Sequence, residues 1–293
     1  MKKLFTLVLT GLLVTGLFAG CGAKQEQTQE QTPAETTETA ETPAETVTLK
    51  VGATPIPHEE LLKFVAPKLE EQGIKLEVVT FTDYVQPNVA LADGQLDANF
   101  FQHVPYLDSY NASNQTNLVS AGNIHVEPLA LYSQKVKSVS ELAAGATVAI
   151  PNDPTNCGRA LILLQAKGII KLSETAGLEA TEKDVVENPS NLVFKPVEAA
   201  QLPRILAEVD AAVINGNYAI ESGLVPTNDA LLLKDGEEDR VIEGAESPYA
   251  NIITVREGEE NNENIKKLVE TLQSEEVKKF IEEKYNGGVV PAF

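Results

Sequence analysis

Along residues 47–132 the spacing of apolar positions switches between a period of two and a period near 3.6. Thr48–Ala53 alternates and runs into Pro55, which predicts a strand. His58–Gln72 carries Leu61, Leu62, Phe64, Val65 and Leu69 close to helical spacing and meets Gly73 as a stop. Lys75–Phe81 reads as a strand, Tyr84–Ala92 as a helix followed by Gly94, Asp97–Phe100 as a short strand and Val104–Ala112 as a helix. Leu118–Ala121 and Leu129–Tyr132 read as strands. This βαβα rhythm predicts a mainly parallel sheet with helices on both faces.

A second series starts at the strand Thr147–Ile150. Asp153 as N-cap and Pro154 at the first helical position open a helix that runs to about Lys167, with Gly168 behind it. Residues 173–190 are polar and read as loop with short helix. Leu192–Lys195 is a strand, Ala199–Glu208 a helix, Ala211–Ile214 a strand and Asn251–Val255 another. Asn264–Tyr285 reads as one or two amphipathic helices. No repeat recurs at a solenoid period. Two βα series predict an α/β chain of two lobes with a cleft, crossed near Leu129–Ser133 and again near Tyr249–Val255. Ligands in such sheets bind beyond the carboxyl ends of strands.

The first twenty residues obey a different pattern. Met1-Lys2-Lys3 precedes an apolar run from Leu4 to Phe18 and then Ala19-Gly20-Cys21, the layout of a secretory signal. The run is shorter than the roughly 20 apolar residues that a membrane-spanning helix needs. Its ending, Leu-x-Ala-Gly-Cys, resembles a bacterial lipobox, which implies cleavage before Cys21 and a lipid on that cysteine. Residues 22–46 hold six glutamates, one lysine and almost no apolar side chain, so they are expected to stay disordered as a spacer. A flexible chain of that length spans about 25–30 Å.

Charge and cysteine content narrow the classes further. The formal net charge is −20, and loss of Lys2 and Lys3 with the signal makes it −22. Such an acidic body argues against nucleic acid and against surface binding to anionic lipid. Once Cys21 is lipidated only Cys157 remains, so no intramolecular disulfide is available and the core must hold the fold.

Three segments carry candidate chemistry. Pro151-Asn152-Asp153-Pro154-Thr155-Asn156-Cys157-Gly158-Arg159 lies at a strand-to-helix junction, where free backbone N–H groups and the positive helix end favour an anion. Arg159, one turn inside, offers a bidentate grip on a carboxylate; the alternative is a surface arginine paired to a neighbouring acid. Around the first βα series, six of the sixteen aromatic residues fall between Phe81 and Tyr110. Phe81 and Phe100 suit a core, while Tyr84, Phe101, His103 and Tyr106 sit at loop or helix-start positions that suit a cleft wall. Asn215-Gly216-Asn217-Tyr218 follows an apolar strand, and its amides offer both donors and acceptors, although Asn and Gly also serve as ordinary turn residues. Together these pieces suit an apolar α-amino acid, which needs a carboxylate clamp, acceptors for its ammonium and an apolar slot.

Val51-Gly52-Ala53-Thr54-Pro55, Phe81 through Asn88, Gln102 through Leu107, Pro151 through Arg159, Asn215 through Tyr218 and Ser247-Pro248-Tyr249-Ala250-Asn251-Ile252-Ile253 resemble the MetQ/NlpA methionine-binding lipoproteins. The resemblance covers nearly all of residues 47–293. It implies a periplasmic-binding-protein-like fold of type II, with one lobe from 47–130 plus 248–293, the other from 131–247, and two hinge strands. It implies capture of L-methionine, with another amino acid or a Met-containing dipeptide as the alternative, and delivery to an ABC permease and its ATPase by a monomer held to the membrane through lipid alone. Matched by motif, Arg159 would bind the ligand carboxylate, Asn156 and Asn215 its polar end, and Tyr84, Phe101, His103 and Tyr106 its side chain. Cys157 departs from the family pattern, in which an acidic or small residue is commoner.

Two rivals follow from single residues. Cys157 at a helix N-terminus, with His103 or His125 as base, would make a cysteine enzyme. His58, His103 and His125 with nearby acids would make a metal-binding transport protein, though their spacings match no ligand pattern. The expectation is therefore no catalytic residue, no metal and no cofactor.

Overall fold

The computed structural model describes residues 46–244 and 248–293. The expected signal peptide at 1–20, the lipidated Cys21 and the spacer up to residue 45 lie outside the described residues.

The first sheet begins with β1 (Val47–Ala53), which leads through α1 (Glu60–Glu70) to β2 (Ile74–Thr80). Helix α2 (Gln86–Ala92), strand β3 (Ala98–His103), helix α3 (Val104–Asn114) and strand β4 (Leu118–Val126) follow. The chain then enters a second sheet with β5 (Ala130–Tyr132), β6 (Thr147–Pro151), helix α4 (Pro154–Ala166), a small hairpin of β7 (Lys171–Leu172) and β8 (Val185–Glu187), and strand β9 (Val193–Val197). Helix α5 (Leu202–Ile205), strand β10 (Ala211–Ile214), helix α6 (Gly216–Glu221) and helix α7 (Pro226–Asp229) complete that part. The return is through β11 (Asn251–Arg256), α8 (Glu263–Leu272), α9 (Glu275–Tyr285) and β12 (Val290–Pro291).

The strand orders are β12-β4-β11-β3-β1-β2 and β5-β10-β6-β9. This is the two-lobed periplasmic-binding fold, each lobe with its own apolar core. Leu49, Val51, Leu61, Leu62, Phe100 and Ile253 belong to the first core, and Leu131, Val148, Ile150, Leu161, Leu164 and Val213 to the second. Each such side chain contributes about 1.5–3 kcal/mol of transfer free energy. The sheets are less parallel than the βα rhythm predicts. Only β1–β2, β1–β3, β6–β9 and β6–β10 pair in parallel; β11 is antiparallel to β3 and β4, β12 to β4, and β5 to β10. A strand that joins its sheet from the other lobe, with no crossover helix, is not bound by the βαβ rule.

Local signals placed most ends correctly. Asp153 caps α4 by accepting the Asn156 N–H at 2.9 Å, with Pro154 next to it. Ser274, whose hydroxyl accepts the Val277 N–H at 3.4 Å, separates α8 from α9. Ala199–Glu208 is shorter than expected, a 3-10 turn followed by α5, and 173–190 holds a 3-10 turn and β8, which pairs with β7 just before it.

The first crossing runs from Val126 to Ala130. The segment leading to the second lies beside it: Leu131 donates to Val241 O at 2.9 Å and Glu243 to Leu129 O at 2.9 Å.

Candidate functional site

A cavity lies where the carboxyl ends of β3, β6 and β10 meet the crossings. It is lined by Tyr84, Phe101, Gln102, His103, Tyr106, Glu127, Asn156, Arg159, Asn215, Gly216 and Asn251. All seven residues singled out in the sequence are in this wall. The other four were not singled out, although Gln102, Gly216 and Asn251 fall inside the quoted motifs.

The polar side begins at the cap of α4. Because Asn156 Nδ2 donates to both Asp153 carboxylate oxygens, at 3.0 and 3.1 Å, its Oδ1 faces inward. That oxygen accepts from Asn215 Nδ2 at 3.0 Å and from His103 Nε2 at 3.2 Å. His103 caps α3: its Nδ1 accepts the Tyr106 N–H at 3.2 Å, which assigns the proton to Nε2. Burial, with help from Arg159, lowers the His103 pKa to about 3, so the ring is neutral. Asn215 Oδ1 is buried and unpartnered among the described residues.

Arg159 projects from the second turn of α4 and is 3% exposed. Its Nε donates to Glu243 Oε1 at 3.1 Å and Oε2 at 3.2 Å, and its Nη2 to Glu243 Oε2 at 2.5 Å and to the Glu127 carbonyl at 2.8 Å. Its Cζ lies 4.4 Å from the Tyr249 ring centroid. Burial is the largest single influence and works against the charge, but Glu243, Tyr249 and Glu127 together outweigh it and the pKa is raised. Both alternatives for this arginine are therefore partly realised: it is paired to an acid, yet it is buried and lines the cavity.

Glu127 is the polar residue that sequence reasoning missed. It is 5% exposed and follows β4. Oε1 accepts from His125 Nε2 at 2.7 Å and lies 3.1 Å from His58 Nε2; Oε2 accepts the Asn217 N–H at 2.9 Å. His58 Nδ1 lies 2.7 Å from Thr54 Oγ1, and its Nε2 also reaches Asn251 Oδ1 at 3.0 Å. Burial lowers the pKa of His58 to about 4 and of His125 to about 3, so both are neutral donors, while burial raises that of Glu127 against the pull of His58 and Arg159. Gly216 makes room for this acid, since a Cβ there would meet Glu127 Cβ at 2.7 Å. The one available signal was His125-Val126-Glu127-Pro128, an acid just past an apolar strand.

The apolar side is aromatic. The Tyr84 ring lies 5.9 Å from Phe101 and 4.9 Å from Tyr218, and the Phe101 and Tyr106 centroids are 5.8 Å apart. Tyr84 OH donates to Asn217 Oδ1 at 2.6 Å and Tyr106 OH to the Tyr84 carbonyl at 2.9 Å. These bonds turn the hydroxyls onto protein acceptors and fix the rings as a wall.

For the rival chemistries, the fold unites two of the three histidines. His58, His125 and Glu127 have ligand atoms within 4.8 Å of one another, a set able to hold a metal. Here both Nε2 atoms are at hydrogen-bond distance from the same carboxylate oxygen. His103 is elsewhere, on Asn156. Cys157 is buried and its thiol is pushed up to about 11 by burial and then by Glu182 and Asp153, the reverse of an activated nucleophile.

Comparison with known proteins gives a consistent picture. A family model described as NlpA lipoprotein matches residues 49–293. The D-methionine-binding lipoprotein MetQ of Escherichia coli K12 is 46% identical over 246 residues, 83% of this chain and 87% of that protein. The crystal structure of lipoprotein Tp32 from Treponema pallidum superposes with a TM-score of 0.79 at 42% identity, covering 85% of this chain and all of that one (100%). A nutrient-binding protein from Burkholderia cenocepacia, solved bound to methionine, gives 0.77 at 46% identity and covers 84% of this chain and 100% of its own.

Proposed function

The chain belongs to the NlpA lipoprotein family, and from that premise we propose that it is an extracytoplasmic, lipid-anchored carrier that captures L-methionine and hands it to an ABC importer. The observation that carries this reading is one cavity holding a buried cation, a buried carboxylate and an aromatic wall. A zwitterionic apolar amino acid complements all three.

Arg159 takes the ligand carboxylate. Among the described residues its hydrogen bonds run from Nε and Nη2, which leaves Nη1 for the ligand. Glu127 takes the ammonium, helped by the unpartnered Asn215 Oδ1. The thioether chain lies among Tyr84, Phe101, His103 and Tyr106, where sulfur–aromatic contact is worth about 0.3–1.5 kcal/mol. Asn156 orients Asn215 and His103. The bodies 47–130 plus 248–293 and 131–247 close on the ligand by hinge motion at the crossings. The closed carrier, tethered through Cys21 and its spacer, then docks as a monomer on a membrane permease coupled to an ATPase. The tether raises its effective concentration there. No catalytic step belongs to this scheme.

Calorimetric titration of ligand-stripped protein with L- and D-methionine, the other amino acids and Met-containing dipeptides tests the ligand. One-to-one binding strongest for L-methionine is expected. A dipeptide or a different amino acid binding more tightly would replace methionine, and binding of none would remove the amino-acid reading. Labelled palmitate incorporated by the wild type and absent in Cys21→Ala is expected for the anchor.

A further inference from the structure

Glu243 has no part in the scheme above, yet it makes more contacts to Arg159 than any other described residue. It comes from the return segment, 84 positions away in sequence, and grips the Nε–Nη2 edge of the guanidinium with both carboxylate oxygens. Arg159 lines the cavity and Glu243 does not. We propose that Glu243 is a positioning residue, holding Arg159 from behind so that Nη1 meets the ligand carboxylate inside the cavity.

Two further contacts fix the plane of the guanidinium. The Glu127 carbonyl accepts from Nη2 at 2.8 Å, and Tyr249 stacks on the flat face with Cζ 4.4 Å from its centroid. Glu243 is itself anchored on the first crossing: its N–H donates to Leu129 O at 2.9 Å, and its Oε2 accepts the Leu129 N–H at 3.3 Å. Both crossings thus meet on the residue that aims the clamp. Five guanidinium protons in one plane allow this division of labour, one edge for the protein and the rest for a ligand.

The acid also settles a conflict inside the cavity. Arg159 and the Glu127 carboxylate attract each other. Without Glu243 the guanidinium would tilt toward Glu127 and lose its aim at the ligand carboxylate, because a buried charge seeks the nearest partner. Glu243 keeps the two ligand-facing charges apart.

The inference rests on the amino-acid reading of the cavity, and its test separates the two. L-methionine and L-methionine amide, which lacks the carboxylate charge, are titrated calorimetrically into wild type, Glu243→Gln, Glu243→Asp, Arg159→Ala and the Glu243→Gln/Arg159→Ala double variant. Expected for Glu243→Gln is at least a tenfold loss for L-methionine and less than a threefold change for the amide. Glu243→Asp should recover part of that loss. In the Arg159→Ala background the Glu243→Gln change should shift L-methionine affinity less than threefold. Unchanged or tighter L-methionine binding by Glu243→Gln overturns the proposal, and tighter binding would make Glu243 a competitor of the ligand. Equal losses for both ligands overturn it in favour of a purely structural role. Wild type that binds no L-methionine, or Arg159→Ala with wild-type affinity, overturns the underlying site reading instead.

Discussion

Glu127→Gln removes one buried charge and almost no volume. In the folded protein Glu127 accepts hydrogen bonds from His125 Nε2 and the Asn217 N–H, and His58 Nε2 lies 3.1 Å from its Oε1. A glutamine can keep the bond from His125 or the one from Asn217 but not both, because its nitrogen only donates. The lost ammonium–carboxylate contact is buried, so its removal should cost about 2–5 kcal/mol of binding, about 30-fold to a few thousand-fold in Kd. The free protein should respond in the opposite sense. Burial raises the Glu127 pKa, so the folded state holds that charge less readily than the unfolded chain does. Removing that charge should leave the thermal midpoint of ligand-free protein unchanged or higher, while methionine's stabilising increment shrinks. Calorimetry and thermal denaturation with and without ligand measure the two effects separately. A ligand lacking the ammonium, 4-(methylthio)butanoate, should bind wild type and variant within about threefold, by the same logic of a missing partner. A Kd for L-methionine within threefold of wild type would refute the assignment of Glu127 to the ammonium.

Arg159→Ala should weaken L-methionine binding at least tenfold, since a charged partner in a closed site is worth about 2–5 kcal/mol; wild-type affinity by calorimetry would remove the clamp. Gly216→Ala places a methyl group 2.7 Å from Glu127 Cβ; the overpacking should cost about 1–3 kcal/mol of stability by denaturant titration, and it should also weaken binding by displacing the carboxylate. Folding stability should fall on acidification below about pH 6.5. His58 has its pKa lowered to about 4 in the fold, from 6.5 in the unfolded chain, so unfolding takes up a proton within that window. The stability involved is fully present above pH 6.5, is lost as pH approaches 4 and amounts to about 3 kcal/mol. Glu127, raised in the fold, opposes part of this near its ordinary titration range. His103 and His125, lowered further to about 3, act in the same direction, so His58→Gln should make the pH profile of the thermal midpoint shallower without abolishing its slope, and a wild-type profile already flat from pH 7 to 4.5 would contradict the burial argument.

Much of the molecule was legible in the chain. The period switches gave the βα order, Asp153-Pro154 gave the start of α4, and the aromatic group and the Asn215 turn gave two walls of the cavity. These are local signals: caps, turns and apolar spacing act within a few residues and survive in any tertiary setting. The antiparallel entry of β11 was not legible, because nothing in Asn251–Arg256 says beside which strand it will lie. Nor were Glu127 and Glu243. The chain has 43 acidic residues, and only the fold buries Glu127, half-buries Glu243 and brings both to one arginine. Their partners are distant, 84 positions between Arg159 and Glu243 and 90 between Asn217 and Glu127. The sequence by itself determined the elements, the cap that carries Arg159 and the residue types of the cavity wall. The tertiary structure alone decided which carboxylate lines the cavity and which grips the arginine, because burial and charge pairing exist only once the two segments lie side by side.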